Sequence, residues 1–178
     1  FHYSGADAEV LGLALGNAVH QSLSAYLEEK IWSQIGTTSK ASWNKDPSGH
    51  DLAFCCFNAT LRDYAHFARL LAADGAWNGK QIIPKDWIVH ATTVSDSTPQ
   101  LAPGKPAPFF GYGYQVWILP GQRRMFALLG ANGQRIFVDP QSKLIFVQTA
   151  VMENSVDRAK DAETIGLWLS LVHHYGTQ

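Results

Sequence analysis

Hydrophobic residues recur along this chain in two rhythms, and the shift from one to the other divides it. Over residues 112–151 they come in short aromatic and β-branched runs. Residues 111–119 end at Pro120 and Gly121, residues 125–129 at Gly130, residues 134–138 at Asp139 and Pro140, and residues 144–151 close the set. Runs of this kind bounded by Gly, Pro and Asp predict strands. Gaps so short predict antiparallel neighbours, because a parallel crossover takes about a dozen residues or more. The stretch therefore reads as an antiparallel meander of four strands. Between its second and third strands lie Gly130, Ala131, Asn132 and Gly133, and two glycines so close together let the backbone approach a ligand.

Before the meander the rhythm is helical. Residues 6–19 place Val10, Leu11, Ala14, Leu15 and Ala18 on one stripe, with Asp7 and Glu9 in the first turn, where the helix dipole favours negative charge. Ser22 caps a predicted second helix whose inward face is Leu23, Tyr26, Leu27, Ile31 and Ile35, and Gly36 stops it. Together these predict a helical hairpin. Residues 37–57 turn to Ser, Asn, Asp, Pro and Gly, broken by Trp43 and by Phe54, Cys55, Cys56 and Phe57. They read as a long loop, and its embedded aromatics favour a functional one. Thr60-Leu-Arg-Asp63 is a capping-box-like start with Asp in place of Glu; Tyr64, Phe67, Ala68 and Leu71 form the inward face of the helix it opens, which Gly75 ends. Trp77, Asn78 and Gly79 predict a turn, Pro84 the start of a short helix carrying Trp87, Ile88 and Ala91, and residues 95–108 a Pro-rich surface loop. After the meander, residues 157–175 are amphipathic with Ile165, Trp168, Leu169 and Val172 inward. Helices before a meander and one long helix after it predict an α+β fold, an antiparallel sheet flanked by helices.

Composition narrows the partners. With 178 residues, 46% of them hydrophobic, the chain is one domain of ordinary size with enough apolar surface for a core. A net charge of -1 gives no basic face for nucleic acid, and no apolar run reaches the roughly 20 residues of a membrane span. A small-molecule or peptide-like partner is expected. The adjacent Cys55 and Cys56 are expected as small buried hydrophobes, not joined by a standard disulfide and not zinc ligands. The histidines are scattered, with His173 and His174 at the end of the last helix as surface residues, so neither a metal nor a cofactor is expected. The sequence starts at Phe1 with no initiator Met or signal peptide and reads as the C-terminal portion of something longer, so its compartment is not readable.

Several segments, taken in order, resemble one family. They are Tyr3-Ser4-Gly5 before Val10-Leu11-Gly12, Ser22-Leu-x-x-Tyr26-Leu27 with Ile31 and Gly36, and the helix Thr60-Leu-Arg-Asp-Tyr-Ala-x-Phe67. Gly111-Tyr-Gly-Tyr-x-x-Trp117 and Gly130-x-x-Gly133-Gln134 before Val138-Asp139-Pro140 complete the set. The set is similar to the serine β-lactamase and penicillin-binding-protein superfamily, and within it to the class C branch and its esterase and amidase relatives, 6-aminohexanoate-dimer hydrolases among them. The resemblance implies a β-lactamase/transpeptidase-like fold, of which this chain is a partial domain.

In that family a Ser-x-x-Lys motif at the start of a buried helix supplies the nucleophile, upstream of a Tyr-x-Asn motif that Tyr3 resembles. A literal match at Ser42-x-x-Lys45 lies in a polar loop, without the helical geometry or apolar flanks that bring lysine against serine and desolvate it. It is not expected to be the nucleophile. The resemblance implies that Tyr3 is catalytic: a phenol titrates near about 10, falls beside a lysine ammonium, and then relays the nucleophile's proton. On spacing alone Tyr3 reads as a half-buried aromatic ahead of a helix. The family's third motif is similar in position to Leu128, Leu129 and Gly130, which implies that the Ala131 backbone N–H is an oxyanion donor; a plain glycine turn is the other reading. Tyr112, Tyr114 and the loop from Phe54 to Phe57 either line the substrate groove or pack in the core.

Two departures bear on substrate. Gly5 stands where penicillin-recognising members have Asn, and Leu128 where they have Lys, so the resemblance implies a serine hydrolase acting on linear esters or amides through an acyl-enzyme. A true β-lactamase, a D-alanyl-D-alanine carboxypeptidase, and a non-catalytic binding protein that kept the fold are the alternatives. The missing N-terminal portion is itself an expected partner, and an exposed sheet edge or helix face is expected to make this chain self-associate.

Overall fold

The first two helices begin where serines cap them. In the computed structural model, which describes residues 1–176, α1 runs Gly5–Val19 and the Ala6 N–H donates to Ser4 Oγ at 3.2 Å. α2 runs Leu23–Lys30, and the Ala25 N–H donates to Ser22 Oγ at 3.2 Å. Each serine satisfies a donor that a helix start leaves unpaired. The chain divides into two compact units, residues 2–63, and Phe1 with residues 64 onward.

In the first unit α1 is turned opposite to its predicted orientation. Val10, Leu11, Ala14, Leu15 and Ala18 are all exposed, Val10 at 67%. The helix docks through Gly12, where a Cβ would lie 2.3 Å from the Ala53 Cβ, and through Glu9, whose carboxylate accepts from the Ala53 N–H at 2.8 Å. Apolar periodicity marks a face fit for burial; it does not say which neighbour covers it. Trp32, on the short 3-10 turn Trp32–Gln34 after α2, and Ile35, just past it, are the buried hydrophobic side chains of this unit.

The predicted long loop contains a hairpin: β1 (Ser42–Trp43) pairs antiparallel with β2 (Phe57–Asn58). The Trp43 indole N–H donates to the Leu52 and Cys55 carbonyls at 2.8 and 2.9 Å, and its ring meets Phe57 edge-on. Buried Asp51 accepts from the Ser24 N–H at 2.7 Å and lies 3.5 Å from the Lys45 ammonium, tying the hairpin to α2. Cys55 and Cys56 correct the sequence reading, because they are disulfide-bonded to each other, Cys55 half-buried and Cys56 exposed. Their Cα atoms are 3.7 Å apart, below the usual range of about 4.4–6.8 Å on which the expectation rested. Cys56 accommodates the linkage with a left-handed backbone (φ 72°).

α3 (Leu61–Ala72) opens as predicted. The Asp63 N–H donates to Thr60 Oγ1 at 3.1 Å, and the Thr60 hydroxyl donates back to the Asp63 carboxylate at 2.9 Å. The hairpin β3 (Ala76–Trp77) and β4 (Lys80–Gln81) turns at Asn78 and Gly79, and α4 (Lys85–Ala91) follows Pro84. Ile88 and Ala91 are buried, whereas Trp87 is exposed, its ring 5.5 Å from that of Tyr114.

The meander has five strands, in the order of sequence: β5 (Gly111–Tyr112), β6 (Trp117–Ile118), β7 (Phe126–Leu129), β8 (Arg135–Asp139) and β9 (Leu144–Gln148). The first predicted strand is thus two, because left-handed Gln115 (φ 60°) folds residues 111–119 back on themselves. The last ends before residue 151, where the Met152 N–H leaves the ladder for the Asn132 carbonyl at 3.1 Å. Alternation along the strands sends Phe126, Val138, Leu128, Ile136 and Ile145 to one face, packed with Leu71 and Ile88 of α3 and α4. Ala127, Phe137, Leu144 and Phe146 point to the other face, against Trp168 and Val172 of α5 (Arg158–Tyr175). Both faces are covered, which is why the strands read as nearly continuous apolar runs and not as a clean alternation. Leu169, expected inward, lies at the solvent edge of α5. The fold is α+β, an antiparallel sheet flanked by helices, as predicted.

Candidate functional site

The turn between β7 and β8 is tied down by hydrogen bonds within itself and to the segment after β9. Leu129 pairs with Arg135, and the Gly130 N–H donates to the Gln134 carbonyl at 2.9 Å, closing a loop one residue beyond the strand. Within it Ala131–Gly133 makes a 3-10 turn in which Asn132 is left-handed (φ 56°, ψ 25°), a conformation asparagine tolerates better than most residues.

The segment after β9 braces this turn. The Asn132 side-chain amide donates to the Met152 carbonyl at 2.8 Å, the Asn132 N–H to the Ser155 carbonyl at 3.1 Å, and the Gln134 side chain to the Ala150 carbonyl at 3.0 Å. Gly133 is left-handed too (φ 89°), and a Cβ there would lie 2.6 Å from the Met152 Cε. Glycine at 133 is thus favoured by its left-handed backbone and by this close packing. Gly130 is extended (φ -98°, ψ 167°) and exposed. Ala131 is exposed, and its N–H finds no acceptor among the described residues. An N–H held on a braced turn and not already bonded is what stabilising a developing oxyanion requires.

Tyr112 and Tyr114 stand at the other edge of the sheet. Tyr112 is half-buried, its ring 4.8 Å from Trp117 and 5.0 Å from Phe1, and its hydroxyl is 3.3 Å from the Gln115 side chain. Tyr114 is exposed, so of the two readings left open for it, core packing is not what the structure adopts.

Tyr3 and Phe54 belong to the first unit. Tyr3 is exposed (59%) one residue before the Ser4 cap, not half-buried. Phe54 is also exposed, and its Cβ lies 3.4 Å from where a Gly5 Cβ would be, so the loop after Ala53 reaches the start of α1 beside Tyr3. Ser42 lies on β1, opposite Asn58, and Lys45 is drawn to Asp51, so the literal Ser-x-x-Lys pattern has strand geometry and an occupied lysine. Ser42 borders a small cleft of about 60 Å³ lined also by Glu28, Trp32 and Trp43, with no lysine in its wall.

Sequence reasoning passed over Asn132 and Arg135. The signal for Arg135 was a charged residue opening an otherwise apolar run, and it is buried (6% exposed). Among the described residues no cluster of three or more His, Cys, Asp or Glu side chains is arranged to hold a metal, and no helix is long and apolar enough to cross a membrane.

This sheet, its flanking helices and the braced turn define a class, and comparison with known proteins names it. The Beta-lactamase family model matches residues 1–167, and the chain belongs to that family, with its hydrolase fold. A 6-aminohexanoate-dimer hydrolase of Paenarthrobacter ureafaciens is 23% identical over 150 residues, covering 83% of this chain and 38% of that protein. A solved structure from Bacillus anthracis, provisionally named a 6-aminohexanoate-dimer hydrolase, superposes with a TM-score of 0.85 at 29% identity, over 98% of this chain and 44% of its own. A Mycobacterium bovis β-lactamase superposes with a TM-score of 0.70 at 20% identity, over 97% of this chain and 64% of its own, which speaks to fold alone. The chain spans about two-fifths of the length of the two hydrolase relatives.

Proposed function

We propose that this chain is the C-terminal portion of a serine hydrolase that cleaves esters or linear amides through an acyl-enzyme, its Ser-x-x-Lys nucleophile supplied by sequence outside residues 1–178. The serine oxygen attacks the substrate carbonyl while Tyr3 relays the serine proton to the leaving group; water then repeats the sequence on the acyl-enzyme. The Ala131 N–H, together with the serine's own, stabilises the oxyanion in each tetrahedral intermediate. Tyr112, Tyr114 and Phe54 line the substrate groove. The exposed apolar stripe of α1, with Val10, Leu11 and Leu15, is where the N-terminal portion packs; without it the chain associates with itself.

One observation carries this reading: the Ala131 N–H has no acceptor among the described residues, on a turn braced by hydrogen bonds to the segment after β9. Its test is Ala131→Pro in the complete protein, which deletes the N–H and is expected to lower the rate by roughly 10² to 10³, as loss of an oxyanion donor does. Ala131→Val keeps the N–H and is expected to keep most of the activity. Equal losses in both variants would trace the effect to packing and remove Ala131 from the mechanism.

A further inference from the structure

The Gly130–Ala131 peptide is trans and planar, so whatever holds its carbonyl also sets the direction of its N–H. That carbonyl is held by Arg135. Its Nη1 donates to the Gly130 carbonyl and, at 2.7 Å, to the Gln134 carbonyl, while Nη2 is paired with the Asp161 carboxylate on α5. A buried guanidinium is costly unless its donors are used, and here both terminal nitrogens are engaged in closing this turn onto α5.

We propose that Arg135 is the positioning residue of the oxyanion donor, aiming and polarising the Ala131 N–H through the Gly130 carbonyl. The rigid planar fork reaches a carbonyl with one arm and a carboxylate with the other, which a single ammonium does less well. A cationic donor on the carbonyl oxygen also withdraws electron density from the peptide, making its N–H the stronger donor when the oxyanion forms. The inference rests on Ala131 being that donor, and it adds the residue that makes the donor effective.

The experiment uses the complete protein, with p-nitrophenyl butyrate as substrate and 13C-carbonyl glycine with 15N-alanine as labels; these mark Gly5–Ala6 and Gly75–Ala76 as well as Gly130–Ala131, whose resonance is the one lost in Ala131→Val. Arg135→Gln is expected to lower kcat about 10- to 100-fold, less than outright loss of the donor, with KM little changed. Its Ala131 amide resonance is expected to broaden or split, and Arg135→Lys to recover part of kcat. Asp161→Asn frees one arm of the fork at a partly exposed position. It is expected to shift kcat and the Ala131 resonance in the same direction by less, and it decides the matter if Arg135→Gln does not fold. Unchanged kcat with an unchanged Ala131 resonance, or a rise in KM alone, overturns the proposal. If Ala131→Pro costs rate while the Arg135 and Asp161 variants do not, the positioning role fails and the donor assignment stands. If Ala131→Pro keeps full activity, both fall.

Discussion

Gly133→Ala isolates what holds the candidate oxyanion turn in place. Gly133 has φ 89°, and a methyl group there would lie 2.6 Å from the Met152 Cε, 2.9 Å from its Sδ and 3.0 Å from the Ala150 Cβ. Gly79, in the same unit, has φ 81° but open space where its methyl would go. A left-handed alanine costs about 1–2 kcal/mol, partly offset by about 0.4–1 kcal/mol from the stiffer unfolded chain. Gly79→Ala should therefore destabilise by about 1 kcal/mol. Gly133→Ala carries the same backbone cost and adds overpacking of about 1–3 kcal/mol, moderated because Met152 is flexible, for a total of about 2–4 kcal/mol. Urea unfolding followed by tryptophan fluorescence reads chiefly the sheet unit, which holds Trp77, Trp87, Trp117 and the fully buried Trp168, stacked on Phe137. With a slope of about 2 kcal/mol per molar, Gly79→Ala should lower the midpoint by about 0.5 M and Gly133→Ala by about 1–2 M. Equal shifts in the two variants would mean that backbone conformation alone dictates Gly133, and that the segment after β9 does not brace the turn.

Tyr3→Phe in the complete protein removes one hydroxyl from an exposed ring and should lower the hydrolytic rate by about 10² to 10⁴ with the melting temperature unchanged; full activity would place the base elsewhere. Burial pushes the Asp51 carboxyl up, but hydrogen bonds from Ser24 and the Lys45 ammonium outweigh it and hold the group below the ordinary carboxylate range. A lowered folded-state pKa gives stability that is present above the unfolded value of about 3.9 and is lost as pH falls through the folded one. Acid titration of the first unit by circular dichroism should accordingly show a loss below about pH 4 that Asp51→Asn flattens, and an unaltered profile in that variant would show that other groups drive acid unfolding. Leu128 packs against the α3 and α4 core where β-lactam-recognising relatives are expected to offer an ammonium, so a β-lactam carboxylate would be desolvated without a partner. The complete enzyme should therefore turn over p-nitrophenyl butyrate far more efficiently than nitrocefin in kcat/KM; equal efficiency would refute the substrate assignment.

What the sequence determined by itself is what the chain satisfies within a few residues. The cap at Ser22, the Thr60 and Asp63 reciprocal pair, and the apolar runs of β7, β8 and β9 are all local solutions to unpaired backbone donors and to apolar periodicity. The ordered motifs also reached the family, because they are short segments read in series. Tertiary structure decided the rest. The stripe on α1 is as apolar as the sequence promised, yet Gly12 and Glu9 seat the helix by its other side, since a helix turns to the neighbour it finds. The split of residues 111–119 into two strands depends on one left-handed residue, Gln115, whose side chain gives no warning of it. Ala131 sits on a turn held by contacts to Met152, Ser155 and Arg135, and Arg135 is itself held by Asp161 on α5, 26 residues further along the chain. The free energy of those contacts lies in partners that only the path of the folded chain brings together, so no local pattern of hydrophobic and polar positions could record them.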